Sequence, residues 1–261
     1  MNKYRFWQVI LVLIFCISTG LLFCQMVYVP MKNREAAERL KEEFPEGDAH
    51  PGDLPSGEKI SSGGPGKGIH AVDLDAMREK YPDIQGWLTI PGTNVDYPVL
   101  QSGESDPEYY LKRNYNGERD VNGSLFLQWN CKVSQSRNLV IYGHNMNSGA
   151  MFGNLDYFSD TGYCREHDRI FLQTVEGIAE YRVVSVMKTD ISIFPFQQVD
   201  FQEIGGLRDY LIQAKELGLF EMEEGGGESE AEQSVTLVTC SYEWKNARNV
   251  IVAVKDGMTE K

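Results

Sequence analysis

The sequence predicts a mainly β fold, in which short strands form a closed or nearly closed barrel. Runs of β-branched and apolar residues recur from about residue 85 to the C-terminus, and Gly, Pro, Asn and Asp separate them. Helical patterns do not alternate regularly with these runs. The pattern therefore favours a barrel over a sheet built from βαβ units.

The predicted strands are, in chain order, 85–90, 95–101, 123–129, 138–142, 169–174, 178–189, 234–239 and 249–254. A short helix precedes them. It begins after Asp73, a suitable N-cap, and ends before Pro82. A second helix follows the capping-box sequence Asp200-Phe-Gln-Glu203 and has apolar residues at helical spacing up to Gly218, in the connection before the last two strands.

The N-terminal sequence predicts a membrane anchor. Residues 6–31 carry no charge and are long enough to cross a bilayer, for which about 20 residues suffice. A cleaved signal peptide is the alternative, but residues 25–30 offer no small-x-small cleavage site. We expect a cytoplasmic N-terminus at residues 1–5 and an uncleaved transmembrane signal-anchor at residues 6–31. Basic residues flank both ends of this span, so charge alone does not set its orientation.

Residues 32–71 are predicted to be a stalk and a linker. A short charged helix at residues 33–44 places Ala36, Leu40 and Phe44 on one narrow apolar stripe. From about residue 45 to residue 70, Gly, Pro, Ser and Asp predominate, which is typical of a flexible tether. Residues 72–261 are predicted to form the globular domain.

The composition argues against several classes of function. The net charge is −13, whereas nucleic-acid-binding proteins need a basic surface. The sequence has no HExxH, CxxC, GxGxxG or Walker motif, so we expect no metal and no cofactor. Cys131, Cys164 and Cys240 fall in the globular part, and their odd number leaves at least one of them free. A disulfide between Cys131 and Cys164 is an alternative to three free thiols.

Three residues at predicted strand ends form a candidate nucleophilic site. Cys240 follows one strand, Arg248 opens the next, and His144 follows the strand 138–142. A nearby guanidinium favours a thiolate and can hold an oxyanion, and an imidazole can accept and return a proton. Taken singly, each residue has an ordinary explanation as a buried cysteine, a structural histidine or a surface arginine.

The strings Ile141-Tyr-Gly-His144-Asn-Met, Met151-Phe-Gly153 and Thr236-Leu-Val-Thr-Cys240, followed by Arg248, resemble the motifs of the sortases, most of all those of class B. The resemblance runs from about Val72 to the C-terminus. It implies an eight-stranded sortase-type barrel with an N-terminal helix and a helix before the cysteine strand. It also implies that His144, Cys240 and Arg248 are catalytic, in a domain on the outer face of the cell membrane of a Gram-positive type of cell.

The family resemblance implies a membrane-anchored cysteine transpeptidase. Such an enzyme cleaves the C-terminal sorting signal of a secreted protein, of an NPxTN-like or xPxTG-like type, after Thr and through a thioester on Cys240. An amine of a peptidoglycan precursor or of a pilin then accepts the protein. The implied partners are thus a sorting-signal peptide, an amine acceptor and the membrane, without nucleic acid.

The resemblance also implies a substrate groove formed by Leu111, Tyr142 and Thr239. Two positions depart from a known class B pattern, since Pro107 stands in place of an asparagine and Val238 in place of a serine. These departures leave the sorting motif open between the NPxTN-like and xPxTG-like types.

Two other functions fit the same residues. A cysteine peptidase with this site would hydrolyse its substrate without transferring it to an amine. An anchored binding protein would keep the fold without catalysis. The products formed with and without an amine distinguish the first from a transpeptidase, and the effect of Cys240→Ala identifies the second.

Overall fold

The computed structural model describes residues 3–23, 28–45, 69, 71–201, 205–222, 231–241 and 243–256. Its α-helices are α1 (Lys3–Phe23), α2 (Val29–Glu43), α3 (Leu74–Lys80), α4 (Thr161–Glu166) and α5 (Gly206–Glu216). Its strands are β1 (Ile84–Thr89), β2 (Asp96–Gln101), β3 (Leu125–Leu127), β4 (Asn138–Tyr142), β5 (Arg169–Thr174), β6 (Gly177–Thr189), β7 (Ser234–Cys240) and β8 (Arg248–Lys255). Two 3₁₀ helices span Tyr109–Lys112 and Leu155–Ser159.

The strands close into one barrel in the order β1-β2-β3-β4-β7-β8-β6-β5. This confirms the predicted eight-stranded, mainly β fold. Two neighbouring pairs, β2–β3 and β4–β7, are parallel, and the other six are antiparallel. Buried side chains such as Trp87, Ile141, Leu237 and Ile251 fill the core. The closed sheet provides a fixed frame for residues at the strand ends.

The observed strands follow the predicted ones, with small shifts at their ends. The largest difference is β3, which is shorter than the predicted strand 123–129. Gly123 has a φ of +59°, a left-handed conformation that is incompatible with an extended strand. Ser124 then donates its backbone N–H to the carbonyl of Tyr110 at 3.0 Å, outside the strand ladder.

Helices α3 and α5 occupy their predicted places. Asp73 caps α3 and accepts a hydrogen bond from the backbone N–H of Ala76 at 3.0 Å. Helix α5 begins at Gly206, and residues 202–204 of the predicted capping box lie outside the described residues. Helix α5 packs on the outside of the barrel, where the hydroxyls of Tyr210 and Thr236 are 2.9 Å apart.

Helix α2, predicted as part of a stalk, packs against the barrel. Ala37 and Leu40 belong to the buried core, and only 1% of Leu40 is exposed. Lys41 forms an ion pair with Asp96 of β2, and its Nζ lies 5.3 Å from the ring centroid of Trp87. The packed core therefore extends upstream of residue 72, where the sequence predicted the globular domain to begin.

The predicted tether falls almost wholly on residues 46–68 and 70, which lie outside the described residues. The residues on either side of it are joined. Pro45 and Val72 form an antiparallel bridge, and the backbone N–H of Asp73 donates to the carbonyl of Phe44 at 3.1 Å. The segment between them therefore begins and ends at the same place on the domain.

Helix α1 is long and apolar enough to span a membrane over Tyr4–Phe23, and none of this window is buried against the barrel. Signal sequences near an N-terminus share this character. The predicted span 6–31 extends past the end of α1 at Phe23. Residues 24–27 lie outside the described residues, and Val29 already belongs to α2.

Candidate active site

Cys240 and Arg248 face each other across the antiparallel pair of β7 and β8. They are the final pair of the register, next to the loop that joins the two strands. Side chains that are directly opposite in such a pair share one face of the sheet, with their Cβ atoms about 5 Å apart. The loop is closed by a hydrogen bond from the backbone N–H of Ser241 to the carbonyl of Ala247 at 2.9 Å. A thiol and a permanent cation are thus placed together by the backbone itself.

His144 reaches the same place from β4, which runs parallel to β7. Tyr142 is level with Val238, and the backbone N–H of Gly143 donates to the carbonyl of Val238 at 3.2 Å. The same register continued by two residues puts His144 beside Cys240. The parallel pairing therefore explains why a histidine and a cysteine that are far apart in the sequence meet at one rim of the barrel.

Gly143 is required by the close packing just before His144. A Cβ atom at this position would lie 2.5 Å from Cδ2 of Leu125 and 2.8 Å from Cδ2 of Phe152. Phe152 also fixes the next residue, because its backbone N–H donates to the carbonyl of His144 at 3.0 Å. The backbone at His144 is therefore held from two sides.

One cleft, with a volume of about 410 Å³, contains the three candidate catalytic residues. Leu111, Tyr142 and Thr239, the three expected substrate-binding residues, also line it. Further walls come from the connection between β6 and α5 and from the region around β3, through Ile191, Phe196, Phe126 and Trp129. The walls of the cleft are mixed polar and apolar, and His144 and Arg248 line it together with the thiol.

Tyr142 is a fixed hydrogen-bonding part of this wall. Its hydroxyl donates to Oε1 of Gln128 at 2.8 Å, and its ring stacks on Phe126 with the centroids 5.4 Å apart. Burial raises the pKa of Tyr142 above its ordinary value, so the phenol stays neutral. Gln128 also lines the cleft, and no motif in the sequence marks it.

Thr239 differs from Cys240 in the direction of its side chain. Successive residues of a strand point to opposite faces of the sheet. Only 2% of Thr239 is exposed, and its hydroxyl has no hydrogen-bond partner among the described residues. Thr239 therefore presents backbone atoms, rather than its side chain, to the cleft.

Three polar residues behind the site were not identified from the sequence. The amide of Asn145 donates to the carbonyl of Cys240 and to Oδ2 of Asp156, both at 2.9 Å. The amide of Asn249 donates to the other oxygen of Asp156. Asn145 and Asn249 directly follow His144 and Arg248, so their positions offered a signal. Asp156 lies in a 3₁₀ helix and offered none.

The described cysteines are all free, so Cys131 and Cys164 do not form the alternative disulfide. Burial raises the pKa of Cys131 to about 11 and that of Cys164 to about 12. Cys240 is only partly buried and lies in the cleft. The described residues contain no group of three or more His, Cys, Asp or Glu side chains that could hold a metal ion.

Comparison with known proteins identifies the family to which these residues and this barrel correspond. The family model for the Sortase domain matches residues 88–256, which include His144, Cys240 and Arg248. Sortase B of Listeria monocytogenes is 31% identical over 182 residues, covering 69% of this chain and 72% of the relative. Sortase B of Staphylococcus aureus is 26% identical over 183 residues, covering 69% of this chain and 73% of that protein.

The same resemblance extends to solved structures. The crystal structure of sortase B from B. anthracis in complex with AAEK1 superposes with a TM-score of 0.67 at 26% identity. The match covers 86% of this chain and 96% of that one. The extent of the match shows that the two chains share one barrel fold.

Proposed function

Since this chain is a cysteine transpeptidase of the sortase family, class B, we propose that His144, Cys240 and Arg248 perform its reaction. The observation that carries the proposal is the meeting of three strand ends at one cleft. Register places Arg248 opposite Cys240, and the parallel pairing of β4 with β7 brings His144 beside them. This combination supplies a nucleophile, an acid–base group and an oxyanion donor within one site.

In the first half of the reaction, the thiolate of Cys240 attacks the carbonyl carbon of the scissile peptide bond. The guanidinium of Arg248 donates hydrogen bonds to the oxyanion that forms. The imidazolium of His144 gives its proton to the leaving amine as the C–N bond breaks. A thioester between the substrate and Cys240 remains, with a neutral His144.

In the second half, an acceptor amine attacks the thioester carbon and loses a proton to His144. The tetrahedral intermediate collapses, the C–S bond breaks, and Cys240 leaves as a thiolate while the new amide forms. Both groups are then in their starting protonation states. Water competes with the amine at this step, and its attack would give a carboxylic acid.

The proposed substrate is the C-terminal sorting signal of a secreted protein, of an NPxTN-like or xPxTG-like type, cleaved after Thr. Leu111 and Tyr142 offer an apolar surface with one phenol beside Cys240, which suits a short extended peptide containing proline. Thr239 would contribute backbone groups at the same wall. The proposed acceptor is an amine of a peptidoglycan precursor or of a pilin.

The test uses the full chain in detergent with fluorogenic peptides that carry NPxTN, xPxTG or scrambled motifs. Each peptide is incubated with and without a glycine-type or diaminopimelate-type amine. We expect motif-dependent cleavage, an amine-ligated product and no activity in Cys240→Ala. Formation of the acid alone in the presence of amine would favour the peptidase, whereas activity in Cys240→Ala would exclude the proposed nucleophile.

We further propose that α1 anchors the enzyme in the cell membrane, with the N-terminus in the cytoplasm and the catalytic domain outside. The length and apolar character of Tyr4–Phe23 support this placement. The test introduces a cysteine at Val121, a residue that is 77% exposed, in a Cys240→Ala background. A membrane-impermeant maleimide should label Val121→Cys in intact cells and spare Asn2→Cys. The reverse result would give the opposite orientation.

A further inference from the structure

A hydrogen-bond network connects the backbone segments that carry the three proposed catalytic residues. Asn145 follows His144, and its amide donates to the carbonyl of Cys240 at 2.9 Å. The same amide donates to Oδ2 of Asp156 at 2.9 Å, and the amide of Asn249 donates to Oδ1 of Asp156. Asn249 follows Arg248. One carboxylate thus joins β8 to the end of β4 and, through Asn145, to the end of β7.

The alternation of side chains explains why this network does not enter the cleft. Thr239 and Asn249 are partners across β7 and β8, one position from Cys240 and Arg248. Neighbouring positions along a strand point to opposite faces, so Asn249 lies on the face away from the thiol and the guanidinium. The network can therefore hold the backbone of the site without obstructing a bound peptide.

The two asparagine side chains are well buried, whereas Asp156, whose carboxylate they contact, is an exposed residue. Asn145 is 7% exposed and Asn249 is 2% exposed. Asp156 belongs to the 3₁₀ helix Leu155–Ser159, in which Leu155 and Phe158 are almost completely buried. Hydrogen bonds from amides to a carboxylate are stronger than those between neutral groups. Leu155 and Phe158 hold the backbone on both sides of Asp156, and the Asp156 carboxylate accepts a hydrogen bond from each buried amide.

We propose that Asp156 is a positioning residue that sets the relative placement of His144, Cys240 and Arg248 through Asn145 and Asn249. The inference rests on the proposed function, because it assigns Asp156 a role in that same reaction. Asp156 does not line the cleft, so it should affect the chemical step more than peptide binding. A misplacement of about 1 Å in a catalytic group can lower a rate on the order of 100-fold.

The decisive experiment exchanges the acceptor and donor between positions 156 and 249 in the full chain. In Asn249→Asp, two carboxylates face each other, and we expect kcat to fall on the order of 100-fold. In Asp156→Asn, an NH₂ group replaces one of the two acceptor oxygens and faces one of the two amide donors, so one hydrogen bond is lost and a fall of about 10-fold is expected. In the double variant, the new amide at position 156 could donate to the new carboxylate at position 249 and still accept from Asn145. We expect this exchange to recover at least about 10-fold in kcat over Asn249→Asp.

Asp160→Asn is the matched control, since it removes one negative charge four residues further along and leaves the network intact. Asp160 caps α4, a role that asparagine also performs. We expect its kcat to equal that of the unaltered enzyme. Peptide KM should stay within about twofold in all network variants, which separates positioning from substrate binding. Circular dichroism and thermal unfolding identify any variant that does not fold.

A second comparison uses alanine variants and so avoids placing a buried aspartate at position 249. If Asp156 acts through Asn249, adding Asn249→Ala to Asp156→Ala should lower kcat by less than about twofold. If the fall in kcat of the double variant equals the product of the falls in the two single variants, the inference is overturned. An unchanged kcat in Asp156→Ala would also overturn it. Cys240→Ala is measured in the same assay. Its inactivity together with a fully active Asp156→Ala would reject only the role of Asp156, whereas activity in Cys240→Ala would reject the proposed function.

Discussion

Cys240 and Arg248 are paired residues at the last position of the β7–β8 ladder, so their proximity is a property of the barrel backbone. The Arg248 side chain also forms a hydrogen bond to the adjacent backbone, because Nη1 donates to the carbonyl of Ala247 at 2.9 Å. The guanidinium has other N–H groups, which are free to point toward an oxyanion. The pairing of the two residues in the ladder therefore places the guanidinium and the thiol on the same face of the sheet.

The first prediction concerns the shape of this cation. We expect Arg248→Lys to lower kcat/KM by about 100-fold or more, although the charge is kept. Lysine carries a point charge on a flexible stem, whereas the planar guanidinium presents several donors at fixed angles. Steady-state cleavage of the sorting peptide measures the effect. A loss of less than about threefold would show that charge alone suffices at this position.

The second prediction concerns thiol reactivity. At about pH 8, Cys131 and Cys164 are almost wholly protonated, because burial raises the pKa of the first to about 11 and that of the second to about 12. We expect iodoacetamide to modify Cys240 in the folded enzyme and to spare the other two. Peptide mapping by mass spectrometry gives the site of modification. In denaturant Cys131 and Cys164 should react as well, and early labelling of Cys131 in the folded enzyme would contradict its buried environment.

The third prediction follows from the same shifts in pKa and concerns stability at high pH. The folded pKa of Cys131 lies above that of an unfolded thiol, which is about 8.5, so the fold favours the protonated form. Its contribution to stability is complete below about pH 8.5 and is lost as the pH rises toward 11. The free energy of unfolding in urea should fall less between about pH 8 and pH 10 in Cys131→Ala than in the unaltered protein. Equal slopes would contradict this assignment.

The fourth prediction concerns the attachment of α2. We expect Leu40→Ala to lower the free energy of unfolding by about 2–4 kcal/mol, because the side chain is fully buried between α2 and the barrel. Leu219→Ala is the control, since 47% of that residue is exposed. Urea denaturation monitored by tryptophan fluorescence provides the measurement. Equal effects of the two substitutions would mean that α2 does not pack on the barrel in solution.

The fifth prediction concerns Thr239. Its buried hydroxyl lacks a partner among the described residues, and an unpaired buried hydroxyl is unfavourable. We expect Thr239→Val to stabilise the fold by about 1 kcal/mol and to leave the peptide KM unchanged. Thermal unfolding and peptide kinetics test the two parts separately. A rise in KM would show that the hydroxyl contacts the substrate.

The parts of the molecule that the sequence predicted well have local patterns. Residues 138–142 and 169–174 match β4 and β5, because β-branched and apolar residues continue to the end of each strand. Strand ends were also enough to indicate that His144, Cys240 and Arg248 could meet. The expectation required only that the strands be neighbours in the sheet.

The parts that the sequence did not predict depend on partners far away in the chain. The three-residue apolar stripe of α2 is typical of a solvated helix, and only the barrel surface shows that Ala37 and Leu40 are buried. The contacts of Asp156 also join residues that are not neighbours in the sequence. Its partners Asn145 and Asn249 are 11 and 93 positions away, and no local pattern connects them.

The bridge between Pro45 and Val72 limits the distance between the proposed membrane anchor and the active site. Because the two ends of the segment 46–71 are joined, its contour length does not add to the distance between α1 and the cleft. In the proposed membrane-anchored state, helix α2 lies between α1 and the barrel. Insertions within residues 46–68 should therefore leave the distance between the proposed membrane anchor and the cleft unchanged.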